Sequence, residues 1–89
     1  MKNQNLEELR SEIDKIDEKI LELLTNRFIF SKKIGNLKKS INKSHLDLDR
    51  QQKLVNDRIK SGLKKNLPEE LIRKIWNLIH SHSVKIQSE

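Results

Sequence analysis

The chain has 89 residues, of which 34% are hydrophobic and 36% are charged, and its formal net charge is +6. This length predicts a single domain over residues 1–89 with a thin hydrophobic core, so burial against a second chain is expected. Cysteine is absent and no apolar run suits a membrane span or a signal peptide, so we expect a cytoplasmic protein without disulfides, thiolate metal sites or membrane contact.

An apolar stripe at alternating steps of three and four residues predicts one long first helix, from about Leu6 to about Ile41. Its apolar members are Leu6, Leu9, Ile13, Ile16, Ile20, Leu23, Phe30, Ile34, Leu37 and Ile41. The helix would be about 50 Å long, whereas a compact chain of this size has a radius of gyration of about 12 Å. The overhanging stripe therefore predicts an intertwined homodimer with a two-fold axis.

A polar loop at residues 42–45 separates this helix from a second one. Asp47 is the expected N-cap of the second helix, and Leu54, Val55 and Ile59 form its short apolar stripe. The helix is expected to end near residues 61–62, with Gly62 in the left-handed conformation.

The third helix is expected to open at residues 67–70, with Pro68 in the first turn and two acidic residues facing the helix dipole. Its expected buried face comprises Leu71, Ile72, Ile75, Trp76, Leu78, Ile79 and Ile86. Nothing in the sequence is typical of a strand. The predicted fold class is therefore all-α, with three helices per chain and a very long first helix.

Each helix carries polar residues on a face where the pattern calls for apolar ones. These positions are Arg27, Ser31 and Lys38 on the first helix, Asp47, Arg50 and Gln51 on the second, and Ser83 and Gln87 on the third. A guanidinium cannot lose its proton, so Arg27 on a buried stripe needs an anion. That anion is supplied either by another side chain or by a ligand.

Taken singly, most of these residues have a structural explanation. A stripe arginine is most often a register-setting residue paired with an acid, Asp47 is a cap, and Arg10 could pair with Asp14. Taken together, however, the cations Arg10, Arg27, Lys38 and Arg50 outnumber the one plausible internal acid, Asp47. A pocket with this surplus favours a ligand with more than one negative charge.

The sequence offers no signature of metal or covalent catalysis. His80 and His82 diverge by about 200° around a helix, and His45 lies in the predicted loop, so no metal pair is expected. Neither a zinc-protease motif, a phosphate loop nor a nucleophile triad is present. No cofactor or metal is therefore expected, which leaves binding or a reaction that needs only positioning and electrostatics.

Several segments in a specific order and spacing carry a family resemblance. They are Leu9-Arg10 with Ile13, Ile16-Asp17-Glu18-Lys19-Ile20, Leu23-Leu24 with Arg27, Lys33-Ile34-Gly35 with Lys38, Asp47-Leu48-Asp49-Arg50, and Ser83-Val84 with Gln87. With these residues the chain resembles the all-α chorismate mutase family over essentially its whole length. The family fold is an intertwined dimer of three-helix chains, in agreement with the overhanging first helix.

The resemblance implies a pericyclic rearrangement of chorismate, a dicarboxylate, to prephenate in the shikimate pathway. It implies that Arg27 binds one carboxylate and that Arg10 of the other subunit binds the second. Lys38 would donate to a carboxylate and to the ether oxygen, and Gln87 would donate to that oxygen from the opposite side. Lys38, Gln87 and Arg27 are thus the expected catalytic residues.

The resemblance also implies binding roles around the ring. Asp47 would hold the ring hydroxyl, Arg50 and Ser83 would complete the carboxylate surroundings, and Ile34 would pack against the ring. Gln51 departs from the family, which usually has Glu there to accept a hydrogen bond from the ring hydroxyl. Gln51 can still accept through its carbonyl oxygen, but it brings no negative charge.

Two alternatives remain open at this stage. The substrate could be isochorismate, in a pyruvate lyase, or 4-amino-4-deoxychorismate, since each carries the same two carboxylates. Alternatively, the chain could be a non-catalytic helical dimerisation module that binds an anion or a nucleic acid. A nucleic-acid partner is not expected, because the cations are spread among acids and the aromatic residues Phe28, Phe30 and Trp76 fall within apolar patterns.

Overall fold

A computed structural model of the chain describes residues 5–42 and 47–89. This part of the chain contains three helices, α1 (Leu6–Ser40), α2 (Leu48–Lys64) and α3 (Glu69–Gln87), and no strand. The predicted all-α fold with a long first helix is confirmed. Of the loop expected at residues 42–45, Asn42 follows α1 with a φ of 55°, and the remainder, including His45, lies outside the described residues.

The ends of α1 agree with the prediction to within one residue. Asn5 caps its start, since the side-chain Oδ1 accepts a hydrogen bond of 2.8 Å from the backbone amide of Glu8. Acidic residues occupy the first turn and lysines the last, which complements the helix dipole. The helix continues through Gly35, which is less favourable than alanine inside a helix by about 1 kcal/mol.

The chain divides into two compact units between Phe30 and Ser31. In the first unit, the apolar stripe of α1 is exposed along the single chain, with exposed fractions from 46% at Leu9 to 66% at Leu23. Arg27, on the same stripe, is half-buried. A contiguous apolar row of this kind is typical of an interaction surface.

The core of the second unit lies between α2 and α3. Leu54, Val55 and Ile59 of α2 are buried with Ile72 of α3, and Trp76 packs against them. The predicted apolar stripe of α2 is therefore confirmed.

The predicted buried face of α3 is only partly correct. Ile72 is buried, and Trp76, Ile79 and Ile86 are partly buried, whereas Leu71, Ile75 and Leu78 are exposed in the single chain. Helical periodicity identifies an apolar face, but it does not say which part of that face the chain itself covers. Pro68 forms the N-cap of α3, immediately before its first helical residue.

The two ends of α2 show one confirmed expectation and one that is wrong. Asp47 is the N-cap, and its carboxylate accepts a hydrogen bond of 3.0 Å from the amide of Arg50. At the other end, α2 continues past Gly62 to Lys64, and Asn66 takes the left-handed conformation with a φ of 64°. Gly62 lies inside the helix with no positive φ.

Hydrogen bonds explain why Asn66 ends α2. The amide of Leu67 donates to the carbonyl of Gly62 at 3.0 Å, and the amide of Asn66 donates to the carbonyl of Leu63 at 3.1 Å. This is the Schellman arrangement, in which Asn is tolerated at the left-handed position.

Among the described residues, none of the helices combines the length and apolar character needed to cross a membrane.

Candidate active site

The C-terminal half of α1 and the C-terminal half of α3 meet through small residues. Ser31 and Gly35 are the buried residues of α1, and Ser83 is buried on α3. The Ser31 hydroxyl donates to the Ser83 hydroxyl at 3.2 Å, and the two residues are only 5% and 4% exposed. Because these side chains are short, the two helices can approach closely.

The closest approach of the two helices is at Gly35. A Cβ atom added to Gly35 would lie 2.6 Å from the Cα atom of Gln87 and 2.7 Å from its carbonyl oxygen. Real Cβ atoms essentially never approach other atoms so closely. The backbone of α3 thus lies directly on the α1 backbone at this point.

One helical turn after Gly35, the same approach joins two of the predicted catalytic residues. The Nζ atom of Lys38 donates to the Oε1 atom of Gln87 at 3.1 Å, in a partly buried position. An ammonium group has three donor hydrogens, and a glutamine amide nitrogen has two. The pair can therefore present several donors to an electron-rich oxygen of a ligand.

Two further lysines of α1 hold the end of the chain that follows Gln87. The Nζ atom of Lys32 donates to the main-chain oxygen of Glu89 at 3.1 Å, and Lys39 donates to the same oxygen. Lysine at a helix C-terminus is favourable, since it offsets the negative end of the dipole. These contacts add to those that hold the last turn of α3 against α1.

Sequence reasoning did not single out Gly35, Lys32 or Lys39 as functional residues. A signal for the lysines was present in their seven-residue spacing, which places them on one face of α1. A glycine within an otherwise regular helix was the corresponding signal for Gly35.

The candidate residues of α2 lie at its first turn. Asp47 and Arg50 are exposed and Gln51 is half-buried. Gln51 lines a shallow cleft between α2 and α3, together with apolar Val55 and with Arg73. Among the described contacts, Lys38 and Gln87 are brought together, but the α2 candidates are not brought onto that pair.

The remaining candidate residues differ in how far they are buried in the single chain. Ile34, next to Gly35, is exposed in the single chain. Ser83 is buried at the helix contact with Ser31. In the first unit, Arg10 is exposed on α1 and Arg27 is half-buried.

The family model and the similar proteins that this chain matches all name chorismate mutase. Residues 9–88 match the family described as chorismate mutase type II. The chain is 36% identical over 87 residues to the bifunctional chorismate mutase/prephenate dehydratase of Buchnera aphidicola subsp. Acyrthosiphon pisum, covering 98% of this chain and 23% of that protein. It is 31% identical over 87 residues to the chorismate mutase of Methanocaldococcus jannaschii, covering 97% of this chain and 87% of that protein. The chain thus spans about a quarter of the bifunctional relative.

Proposed function

The chain belongs to the type II chorismate mutase family, and on this premise we propose that it converts chorismate to prephenate in phenylalanine and tyrosine biosynthesis. The observation that carries the proposal is the pairing of Lys38 with Gln87 at 3.1 Å. The two residues come from different helices, and in this proposal they supply the hydrogen-bond donors to the ether oxygen.

The reaction breaks an ether bond and forms a carbon–carbon bond in one pericyclic step. It transfers no proton and forms no covalent enzyme intermediate, so catalysis consists of holding the folded substrate and stabilising charge. Negative charge grows on the ether oxygen in the transition state. Lys38 and the amide nitrogen of Gln87 would donate hydrogen bonds to that oxygen, where fixed donors are most effective.

The carboxylates of chorismate account for the remaining cations in the proposal. Arg27 is proposed to bind one carboxylate, the role that the family resemblance implies for it, because a guanidinium carries a permanent charge and can donate two parallel hydrogen bonds to a carboxylate. Arg10, which is exposed in the single chain, is proposed to bind the other from the second subunit. Lys38 would also contact a carboxylate.

Further residues are proposed to surround the substrate. Asp47 and Gln51 would contact the ring hydroxyl, Arg50 and Ser83 would complete the carboxylate surroundings, and Ile34 would pack against the ring. The hydrogen bond between Ser31 and Ser83 gives Ser83 a structural role as well, at the contact of α1 with α3.

We propose that the enzyme is a homodimer. The support is the exposed apolar stripe of α1, together with Leu71, Ile75 and Leu78 of α3, which are also exposed in the single chain. A second copy would bury these surfaces, and apolar burial is the main favourable contribution to association. The cytoplasmic location stays a prediction.

The alternatives are not favoured by the comparisons. The relatives from Buchnera and Methanocaldococcus both carry chorismate mutase in their names. Gln51 nevertheless differs from the usual glutamate, so the assay should include isochorismate and 4-amino-4-deoxychorismate. A nucleic-acid-binding module would instead show binding that weakens strongly with salt.

The proposal is tested by following the loss of chorismate absorbance with purified protein and identifying the product by chromatography. We expect prephenate from the wild type and at least a 100-fold lower kcat from Lys38→Ala. Lys60→Ala, which removes an exposed lysine of α2, is the matched control and should keep wild-type activity. Absence of chorismate turnover by folded wild-type protein would overturn the proposal.

A further inference from the structure

We infer that Gly35 is a positioning residue, which sets Gln87 beside Lys38 by letting the last turn of α3 lie on the backbone of α1. The catalytic consequence of this inference rests on the function proposed above. Gly35 itself has no side chain with which to contact the substrate, so it would act only through Gln87.

The conformation of α1 does not require a glycine at this position. No glycine has a positive φ, and Gly35 lies within a helix that continues to Ser40. An alanine would favour the helix, because glycine is among the weakest helix formers. What distinguishes the position is the approach of α3.

The atoms that approach Gly35 belong to the α3 backbone. An added Cβ atom would lie 2.6 Å from Cα, 2.7 Å from the carbonyl oxygen and 3.0 Å from the carbonyl carbon of Gln87. A side chain could rotate away from such a contact, but a helix backbone can only shift as a unit. Alanine at position 35 would therefore push the last turn of α3 away from α1.

That shift would separate the catalytic pair. Lys38 lies three residues after Gly35, on the same side of α1. Its hydrogen bond to Gln87 is 3.1 Å long. Moving the last turn of α3 away by about 1 Å would lengthen this donor–acceptor distance beyond the range in which a hydrogen bond is effective. The Ser31–Ser83 contact four residues earlier would still hold α3, so the displacement would fall on the turn that carries Gln87.

Gly62 provides a matched control within the same chain. It is also a buried helical glycine, and an added Cβ atom would lie 2.7 Å from Cγ1 and 2.9 Å from Cδ1 of Ile72. These atoms belong to a core side chain and not to the backbone of α3, so an alanine here would disturb the packing of α2 on α3 without pressing on the last turn of α3. Gly62 belongs to the contact between α2 and α3, away from Lys38 and Gln87.

The test is a double-mutant cycle on kcat and KM with chorismate, using Gly35→Ala, Gln87→Ala and the double variant. We expect Gly35→Ala to lower kcat at least tenfold with a smaller change in KM. In the Gln87→Ala background the same change should lower kcat less than twofold, since Gln87 is then no longer there to be positioned. Gly62→Ala should leave kcat within twofold of the wild type.

An unchanged kcat in Gly35→Ala, or losses that multiply in the double variant, would overturn the inference. A second measurement does not depend on activity or on any variant. In folded wild-type protein, the α-protons of Gly35 and Gln87 should give a nuclear Overhauser contact. If the wild type does not turn over chorismate, or if Gly35→Ala does not fold, this contact decides whether the close approach is present, and its absence overturns the inference.

Discussion

The side chain of Lys38, near the end of α1, donates a hydrogen bond of 3.1 Å to the side chain of Gln87, the last residue of α3, although 49 positions separate them in sequence. Both residues are half-buried. Their proximity is a consequence of the close contact between α1 and α3, where Ser31, Gly35 and Ser83 leave room for it.

The neutral amide of Gln87 predicts a specific pH dependence. Wild-type kcat should change little between mildly acid and neutral pH, because an amide donates a hydrogen bond in either condition. A glutamate carboxyl has an ordinary pKa of about 4.3, and the adjacent ammonium of Lys38 would favour its ionised form, which has no proton to donate. In Gln87→Glu, kcat should therefore fall as pH rises.

This prediction is checked by measuring kcat from pH 5 to pH 8 for the wild type, Gln87→Glu and Gln87→Ala. We expect several-fold more activity at pH 5 than at pH 7 in Gln87→Glu alone. Gln87→Ala should be slow at every pH, because it has no group to titrate at this position. If kcat of the Gln87→Glu variant does not change with pH, Gln87 does not donate to the reacting oxygen.

Arg10 and Lys38 are expected to affect different kinetic constants. Arg10 is proposed to bind a carboxylate whose charge is the same in the ground state and the transition state, so Arg10→Ala should mainly raise KM. A hydrogen bond to a charged group contributes about 1.5–3 kcal/mol, and losing it corresponds to an increase in KM of roughly 10-fold to 150-fold. Lys38→Ala should instead lower kcat.

Steady-state kinetics with chorismate checks this division. Lys74→Ala is the control, because Lys74 forms an exposed ion pair of 3.5 Å with Glu70 on α3, and such pairs contribute little to stability. Both of its kinetic constants should stay within twofold of wild type. A loss of kcat with unchanged KM in Arg10→Ala would contradict the proposed role.

The sequence predicted most of the features of this fold that depend on residues close to one another along the chain. The extent of α1, the Asp47 cap and the buried stripe of α2 were all correct, because they follow from helical periodicity and local hydrogen bonding. The sequence pattern predicts Gly62 as the left-handed residue after α2, but Asn66 takes that conformation. Both residue types tolerate it, and helix packing determines which one is used.

The sequence was less informative about contacts between distant segments. Leu71 and Leu78 belong to the apolar pattern of α3 but are exposed in the single chain, because periodicity does not distinguish a face covered by the same chain from one that is not. The helical pattern singles out Lys38 and Gln87 as polar residues on apolar faces, and the family resemblance implies their roles, but neither shows that the two side chains form a hydrogen bond. The role inferred for Gly35 required the position of α3, since a glycine within a helix can equally be a tolerated weak point.

The buried serines predict a coupled effect on stability. Removing either hydroxyl of the Ser31–Ser83 pair should lower the free energy of unfolding by about 1 kcal/mol, because it removes one buried hydrogen bond. The double variant Ser31→Ala/Ser83→Ala should lose less than the sum of the two single losses. Urea unfolding followed by circular dichroism measures all three values, and strictly additive losses would contradict the coupling.

The exposed stripe of α1 predicts that a single charge will disrupt the assembly. Ile16 is 54% exposed in the single chain, and on a monomer Ile16→Lys would change the free energy of unfolding by no more than about 0.5 kcal/mol. In a homodimer the same lysine would be buried without a partner, which is strongly unfavourable. We therefore expect the wild type to sediment as a dimer, and Ile16→Lys to dissociate and lose activity. Ser11→Lys adds the same charge to α1 off the stripe, and this control should remain dimeric and active. A monomeric, active wild type would show that the stripe is not a dimer interface.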